Sequence, residues 1–283
     1  MRTIHVCRRV SSSKRACSRD WRREFRDRNL PEVDVALQLF RAEAKRHKDP
    51  ALFDRLCEKR LTGMPIQYCL GSWDFCSLSD ILVRPPVLIP RPETEELVRL
   101  VQQHMSPTDC RILDVGTGSG AIAAALLHEN KSLHAMCIDV SPAAVQLASD
   151  NMELFDLSDR AQVKKCSIEE FGGIYDGFQF DVLVSNPPYI PSSVVDALED
   201  QVLHYEDRGA LDGGTDGFSV TRQILRHCSR LVRPGGKVLM ELDDGQPTVL
   251  CNSETDLFAH MEAVTDMYEK DRFFVGMLPT NSN

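Results

Sequence analysis

Residues suited to chemistry gather in two short stretches. The first, Asp181-Val-Leu-Val-Ser-Asn-Pro-Pro-Tyr-Ile190, runs an apolar strand into a side-chain amide, two prolines and a tyrosine. Pro187 and Pro188 lack an N–H and have a fixed φ, so they end the strand and hold the next loop in one shape. Asn186 then offers one acceptor and two donors beside backbone carbonyls freed where the ladder stops. Two acceptors converging on one NH2 group orient a planar nitrogen and draw its lone pair out of conjugation. That helps only a poorly nucleophilic nitrogen, such as a carboxamide or an adenine amino group. Tyr189 supplies a wall for a flat group. The implied chemistry is transfer to nitrogen by positioning and electrostatics, with no strongly basic side chain needed. Alone, Asn-Pro-Pro-Tyr is also simply a stiff turn, and the second stretch raises the chemical reading above that.

That second stretch is Asp114-Val-Gly116-Thr117-Gly118-Ser119-Gly120-Ala121. Its glycines let the backbone turn sharply and approach a ligand at the start of the following helix, where unpaired N–H groups favour negative charge. Gly116-x-Gly118-x-x-Ala121 also satisfies the dinucleotide fingerprint, so an NAD site competes with a site for S-adenosylmethionine. Asp114 favours the second, because a carboxylate there would hold a cationic amino acid moiety and repel a pyrophosphate. Asp139 suits the ribose of either cofactor, or caps the helix that opens at Ser141-Pro142.

The elements that must position these loops read as alternating strands and helices. Strands are expected at 111–115, 133–138, 162–166, 180–185 and 237–242, with helices after residues 94, 120 and 141 and over 220–231. Strands alternating with helices imply a parallel sheet covered on both faces, with ligands at its carboxyl edge. Late strands at 260–266 and 272–278 suit an antiparallel edge, which makes the fold an α/β, Rossmann-like sheet of seven strands. Upstream, residues 29–63 carry two helical patterns, one on Val33, Leu37, Phe40 and Ala44, the other capped by Asp49 and closed near Gly63. Between them and the main domain at 87–283, residues 64–86 read as a connecting β-hairpin, with Ile66–Leu70 as its first strand.

Composition narrows the partners. The 283 residues carry a net charge of −9, which argues against affinity built on neutralising phosphates. No apolar run is long enough to cross a bilayer. The ten cysteines and eight histidines lack metal-ligand spacing, so no metal is expected. Residues 1–28 stand apart: Arg2, Arg8, Arg9, Lys14, Arg15 and Arg19 precede the first acid, Asp20, around the run Ser11-Ser12-Ser13. This is the composition of a mitochondrial transit peptide, or else of a plain basic tail on a cytoplasmic protein.

From about Gly63 to Leu278 the chain resembles the class I S-adenosylmethionine-dependent methyltransferases, and within them the HemK/PrmC family of release factor glutamine methyltransferases. The resemblance rests on Gly63-Met-Pro-Ile-Gln-Tyr68, Leu88-Ile-Pro-Arg-Pro-Glu-Thr-Glu95, the glycine loop, Ser185-Asn-Pro-Pro-Tyr189, and Tyr205-Glu206 leading to Ala210-Leu-Asp-Gly-Gly214. It implies that Asp114 and Gly116 to Gly120 hold the methionine part of S-adenosylmethionine, that Asp139 holds its ribose and that Ile168 flanks its adenine. It also implies that Asn186, Pro187, Pro188 and Tyr189 bind the side-chain amide of the glutamine in the Gly-Gly-Gln loop of a release factor. A monomer acting on a protein, without membrane and without nucleic acid as substrate, is the expected enzyme, and organelle versions in the family favour a mitochondrial address. Two positions depart from the pattern: Ser167 stands where an acid is usual, and Asp243 where a glycine often follows the pair Glu241-Leu242. Two other readings stay open, an adenine N6-methyltransferase on nucleic acid and an inactive binding module of the same fold.

Overall fold

The computed structural model describes residues 19–106, 108, 110–174, 179–253 and 256–280, and divides into two units, residues 1–62 and 63–283. In the first unit, α1 (Trp21–Asp27), α2 (Val33–Arg46) and α3 (Pro50–Leu61) pack on one another. Leu37, Phe40 and Ala44 of α2 and Leu56 of α3 are buried, at the three-to-four spacing read from the sequence. Asp49 caps α3, accepting from the Ala51 N–H at 3.0 Å. The expected basic leader over 1–28 is corrected at its end. Trp21 and Phe25 lie one turn apart and are buried, the Trp21 indole N–H donates to Asp54 at 2.7 Å, and a third helix results. Residues 1–18 of that leader lie outside the described residues.

The second unit opens with α4 (Ile66–Leu70), where a strand was expected. Pro65 at its N-cap and Gly71 in the left-handed conformation at its end favour one helical turn, which buries Ile66, Tyr68 and Cys69. The hairpin follows as β1 (Ser72–Phe75) and β2 (Leu78–Leu82), antiparallel around Cys76-Ser77. Phe75, Leu78 and Ile81 are buried in the core of this unit, so the hairpin is part of the domain's packing.

The remaining elements are α5 (Pro92–His104), β3 (Arg111–Val115), α6 (Ala121–Glu129), β4 (His134–Asp139), α7 (Pro142–Leu154), β5 (Ala161–Lys165), α8 (Ile168–Ile174) and β6 (Phe180–Ser185). Two short helices, α9 (Ser192–Val195) and α10 (Asp200–Tyr205), precede α11 (Ser219–Leu231), β7 (Val232–Glu241), α12 (Gln246–Ser253), β8 (His260–Thr265) and β9 (Asp271–Met277). Among the described residues, seven strands form one sheet in the order β5-β4-β3-β6-β7-β9-β8. The first five run parallel, and β9 enters antiparallel between β7 and β8. β7 begins five residues before the strand expected at 237, carrying Pro234-Gly235-Gly236 inside it with a register shift against β6.

Alternation assigns the two faces. Ile112, Val182 and Val184 point toward α5 and α6, while Leu113 and Leu183 point toward α11, whose Ile224, Cys228 and Leu231 are buried at helical spacing. Each such side chain contributes about 1.5–3 kcal/mol by leaving water. This two-sided core leaves the carboxyl ends of β3, β4, β6 and β7 as a rim on which the glycine loop, Asp139, Asn186 and Glu241 stand side by side.

Candidate active site

Two clefts meet on that rim. The larger is lined by Gly116, Gly118, Asp139 and Ser141, by the apolar Val87, Val140, Ala144, Ile168 and Val220, and by Asn186, Pro188, Asp207 and Gly209. The smaller is lined by Arg91, Tyr189, Ile190, Leu198, Val202 and Leu211. Leu88, Asn186 and Ala210 line both. Asn186 therefore stands at the boundary between the two spaces.

The glycine loop is shaped by its turn. Gly116, Gly118 and Gly120 have φ of 70°, 57° and 79°, left-handed values that other residues avoid. A β-carbon on Gly120 would meet Ala148 and Met152 of α7 at 3.1 to 3.2 Å, so this glycine lets α6 pack closely on α7. The Gly118 N–H donates to Asp139 Oδ2 and the Ser141 N–H to Oδ1, both at 2.9 Å. Asp139 therefore ties the loop to the start of α7 while lining the cleft, and burial pushes its carboxyl above the usual range.

Asp114 sits differently from the sequence expectation. It is fully buried behind the loop, accepts from the Thr117 hydroxyl at 2.7 Å, and does not line the cleft. Its Oδ1 meets no donor within hydrogen-bond geometry, although the Ala123 N–H approaches the carboxylate. Burial pushes this carboxyl up to about 7, Thr117 pulling the other way. Thr117 and Ser119 are likewise buried, so Asp114, Thr117, Ser119 and Gly120 shape the loop from behind, and Gly116 and Gly118 face the cleft. Ile168 lines the cleft as expected. Ser167, the apparent departure, is the N-terminal half of a reciprocal cap on α8: its N–H donates to Glu170 and its hydroxyl accepts from the Glu170 N–H.

The Asn-Pro-Pro-Tyr corner is held from three sides. Gln246 donates to the Tyr189 carbonyl at 3.2 Å. Ile190 and Asp212 form a parallel bridge, with the Ile190 N–H on the Leu211 carbonyl and the Gly213 N–H on the Ile190 carbonyl. Asp212 in turn accepts from Ser192 at 2.6 Å and from the Gly214 N–H at 2.9 Å. On the third side a chain of hydrogen bonds runs inward. Asn186 Nδ2 donates to Thr94 Oγ1 at 3.0 Å, Thr94 donates to Glu241 Oε2 at 2.8 Å, and the Tyr189 hydroxyl lies 3.4 Å from Glu241 Oε1. Glu241 is 1% exposed, and burial pushes its carboxyl up to about 7, with Thr94, Arg272 and Asn186 holding it down and Glu93 pushing it up.

Comparison with known proteins decides the family. A family model described as a methyltransferase domain matches residues 107–278. A human protein named MTRF1L release factor glutamine methyltransferase is 33% identical, over 89% of this chain and 84% of its own. A release factor glutamine methyltransferase of Gloeobacter violaceus is 40% identical, over 74% and 71%. This chain belongs to the release factor glutamine methyltransferase family. Among solved structures, the catalytic domain of hMettl16 overlays with a TM-score of 0.58 at 14% identity, over 77% of this chain and 81% of that one. A methyltransferase from Pyrococcus furiosus gives 0.51 at 19%, over 71% and 89%. Both likenesses concern the fold, a class I methyltransferase sheet.

In this release factor glutamine methyltransferase homologue, the structure brings Gly116, Gly118, Asp139, Ile168, Asn186 and Pro188 to one cleft and Tyr189 to its neighbour, while Pro187 is buried in the corner. Sequence reasoning missed Thr94 and Glu241 as partners of Asn186. One signal was available: an acid closing the apolar run Val238-Leu-Met240 stands at the same sheet edge as Asn186. Arg91, at the N-cap of α5, makes no capping bond with its side chain; it lines the smaller cleft and pairs with Glu206 at 2.6 Å.

Proposed function

We propose that this protein transfers a methyl group from S-adenosylmethionine to the side-chain amide nitrogen of the glutamine in the Gly-Gly-Gln loop of a peptide chain release factor. The observation that carries the reading is the position of Asn186, shared by the two clefts. The larger cleft suits S-adenosylmethionine better than a dinucleotide. It contains two acids, Asp139 and Asp207, and no lysine or arginine among the described residues that line it, so a pyrophosphate would be repelled and a cation favoured. Val140 and Ile168 offer apolar walls for an adenine, Asp139 an acceptor for ribose hydroxyls, and the loop at Gly116 to Gly120 a close backbone approach for the methionine part.

S-adenosylmethionine supplies an electrophilic methyl group on a cationic sulfur. What this chain's residues do is orient the acceptor. The Asn186 side-chain carbonyl accepts one N–H of the glutamine amide, and a backbone carbonyl of the rigid Pro187-Pro188 corner accepts the other. Held that way, the amide nitrogen presents its lone pair toward the cofactor cleft. S-adenosylmethionine held along Gly116, Gly118, Asp139 and Ile168 would supply the methyl group to that nitrogen and leave as the neutral thioether, and the amide would release one proton to solvent. Tyr189, Ile190 and Leu211 form the walls against which the side chain packs, and their apolar surface keeps water away.

The acidic balance of the chain supports a protein over a nucleic acid as substrate. The acid-free stretch before Asp20 supports a mitochondrial address, and we read the enzyme as a monomer. The test is transfer of labelled methyl groups to purified release factors and to variants with the Gly-Gly-Gln glutamine replaced. Label on that glutamine alone is the expected result, and absence of transfer to any release factor overturns the reading.

A further inference from the structure

We infer that Thr94 and Glu241 are positioning residues that fix which end of the Asn186 amide faces the substrate. This inference rests on the proposed role of Asn186 and goes one layer behind it. An asparagine amide has a donor end and an acceptor end of nearly the same shape, and only the acceptor end can take an N–H from a guest amide. Packing alone separates the two orientations poorly. A hydrogen-bond partner of defined polarity separates them well.

Thr94 is such a partner because its one proton is committed. The Thr94 hydroxyl donates to Glu241 Oε2 at 2.8 Å, and a carboxylate can only accept. Toward Asn186 the Thr94 oxygen therefore presents lone pairs, and the group 3.0 Å away must be the amide N–H. The reversed amide would set two acceptors against each other in a buried place, at a cost comparable to a lost hydrogen bond. Polarity thus passes from the buried carboxylate to the amide, chiefly through the hydroxyl and in part by the approach of the Asn186 N–H side to Glu241 itself, and Oδ1 is left on the side where the clefts meet. Thr94 is 5% exposed and Glu241 1%, and neither lines a cleft, so both act through Asn186. The chain also joins separate elements: Thr94 lies in the first turn of α5, Asn186 follows β6, and Glu241 ends β7.

The test uses the full-length protein with Thr94→Val, which keeps the shape and removes the hydroxyl, and Thr94→Ser, which restores it. Thr94→Val should lower kcat for glutamine methylation about 10- to 100-fold, the loss expected for one positioned hydrogen bond, while KM for the release factor and S-adenosylhomocysteine affinity by calorimetry stay unchanged. Thr94→Ser should recover most of kcat. A Thr94→Val enzyme with full kcat, or a folded Thr94→Ser enzyme as impaired as Thr94→Val, overturns the inference. A second measurement needs no substrate and separates this inference from the proposed function. In spectra of 15N-labelled protein, one Asn186 side-chain amide proton should be shifted downfield and protected from exchange, in wild type and Thr94→Ser but not in Thr94→Val. If wild type fails to methylate any release factor yet shows this pattern, the function falls and the positioning chain stands. Asn186 side-chain protons that both sit at free-amide shifts and exchange unprotected in wild type overturn the chain whatever the activity.

Discussion

Arg91 and Glu206 are 115 residues apart in sequence, and in the structure one Arg91 nitrogen, Nη2, lies 2.8 and 2.6 Å from the two Glu206 carboxylate oxygens. The Glu206 side chain is 1% exposed, so its charge depends on this guanidinium. The pair ties the segment before α5, which contributes Leu88 and Arg91 to the clefts, to the segment that contributes Asp207, Gly209 and Ala210. Replacing Arg91 by Met should leave an uncompensated buried carboxylate and lower unfolding free energy by about 3 kcal/mol, read from urea midpoints. An unchanged midpoint would mean that water already solvates Glu206.

Asn186 and Asp139 should separate binding from chemistry. Asn186→Ala is expected to keep S-adenosylhomocysteine affinity nearly intact and to abolish methyl transfer, because the amide serves the acceptor. Asp139→Ala should weaken cofactor binding first, since it removes both a cleft carboxylate and the tie to Gly118. Calorimetry beside a transfer assay reads both. Equal loss of cofactor affinity in the two variants would show that Asn186 belongs to the cofactor site.

Gly217 is the position at which the corner is most exposed to a small change. Its φ is +80°, and a β-carbon there would come within 2.3 Å of the Tyr189 carbonyl oxygen, which is backbone and cannot swing aside. Gly217→Ala should push the Tyr189 backbone out of place and lower kcat at least about tenfold, with about 1–3 kcal/mol of lost stability. Gly63→Ala is the control: its φ is +89° with nothing within 4 Å, so it should cost about 1 kcal/mol and leave kcat alone. Equal kcat in the two variants would remove the proposed contact.

Stability should fall as pH rises through neutrality. Burial raises the Asp114 carboxyl from its usual 3.8 to about 7 and that of Glu241 from 4.5 to about 7. The folded protein therefore binds more protons than the unfolded chain between these values. The stability each group contributes is complete below the unfolded value and is lost as pH climbs through about 7. For Glu241 the loss amounts to about 3 kcal/mol at most. Denaturation midpoints of wild type and Glu241→Gln, compared from pH 4.5 to 8, should diverge over this range, wild type losing more. Parallel curves would place the Glu241 titration elsewhere.

The same titration should appear in the rate. Protonated Glu241 can donate to Thr94, which frees the Thr94 proton to turn toward Asn186 and favours the reversed amide. Arg272 on β9 opposes that protonation, while Glu93 on α5 and burial promote it, with the Tyr189 hydroxyl beside the carboxylate. We expect kcat to rise with pH through about 7 in wild type and to be flatter in Glu241→Gln. A wild-type profile flat from pH 6 to 8 would show that Glu241 stays ionised in the substrate complex.

Much of this was legible in one dimension. The parallel strands are read from apolar runs of strand length between helical patterns, because a strand covered on both faces has no polar side to interrupt it. The glycine loop and the Asn-Pro-Pro-Tyr corner are local: positive φ and missing N–H groups are properties of the residues themselves. Elements whose packing decides between two local options were harder. Ile66–Leu70 suits a strand by composition, yet the preceding Pro65 and following Gly71 admit a helical turn, and burial of Tyr68 decides for it. Trp21 and Phe25 are two apolar residues among arginines until other helices offer them a place.

By itself, then, the sequence determined the two loops, the alternation of strands and helices that delivers them to a sheet edge and the residue types that meet a ligand, since these follow from local backbone preference and periodic burial. Only the tertiary structure decided that Asp114 works from behind its loop, that Arg91 finds Glu206, and that Asn186 reads Glu241 through Thr94. Those relationships join residues 92 to 147 positions apart, or depend on which side of a turn a carboxylate falls. No local preference encodes them, because a hydrogen bond takes its direction from the partner that the fold brings within 3 Å.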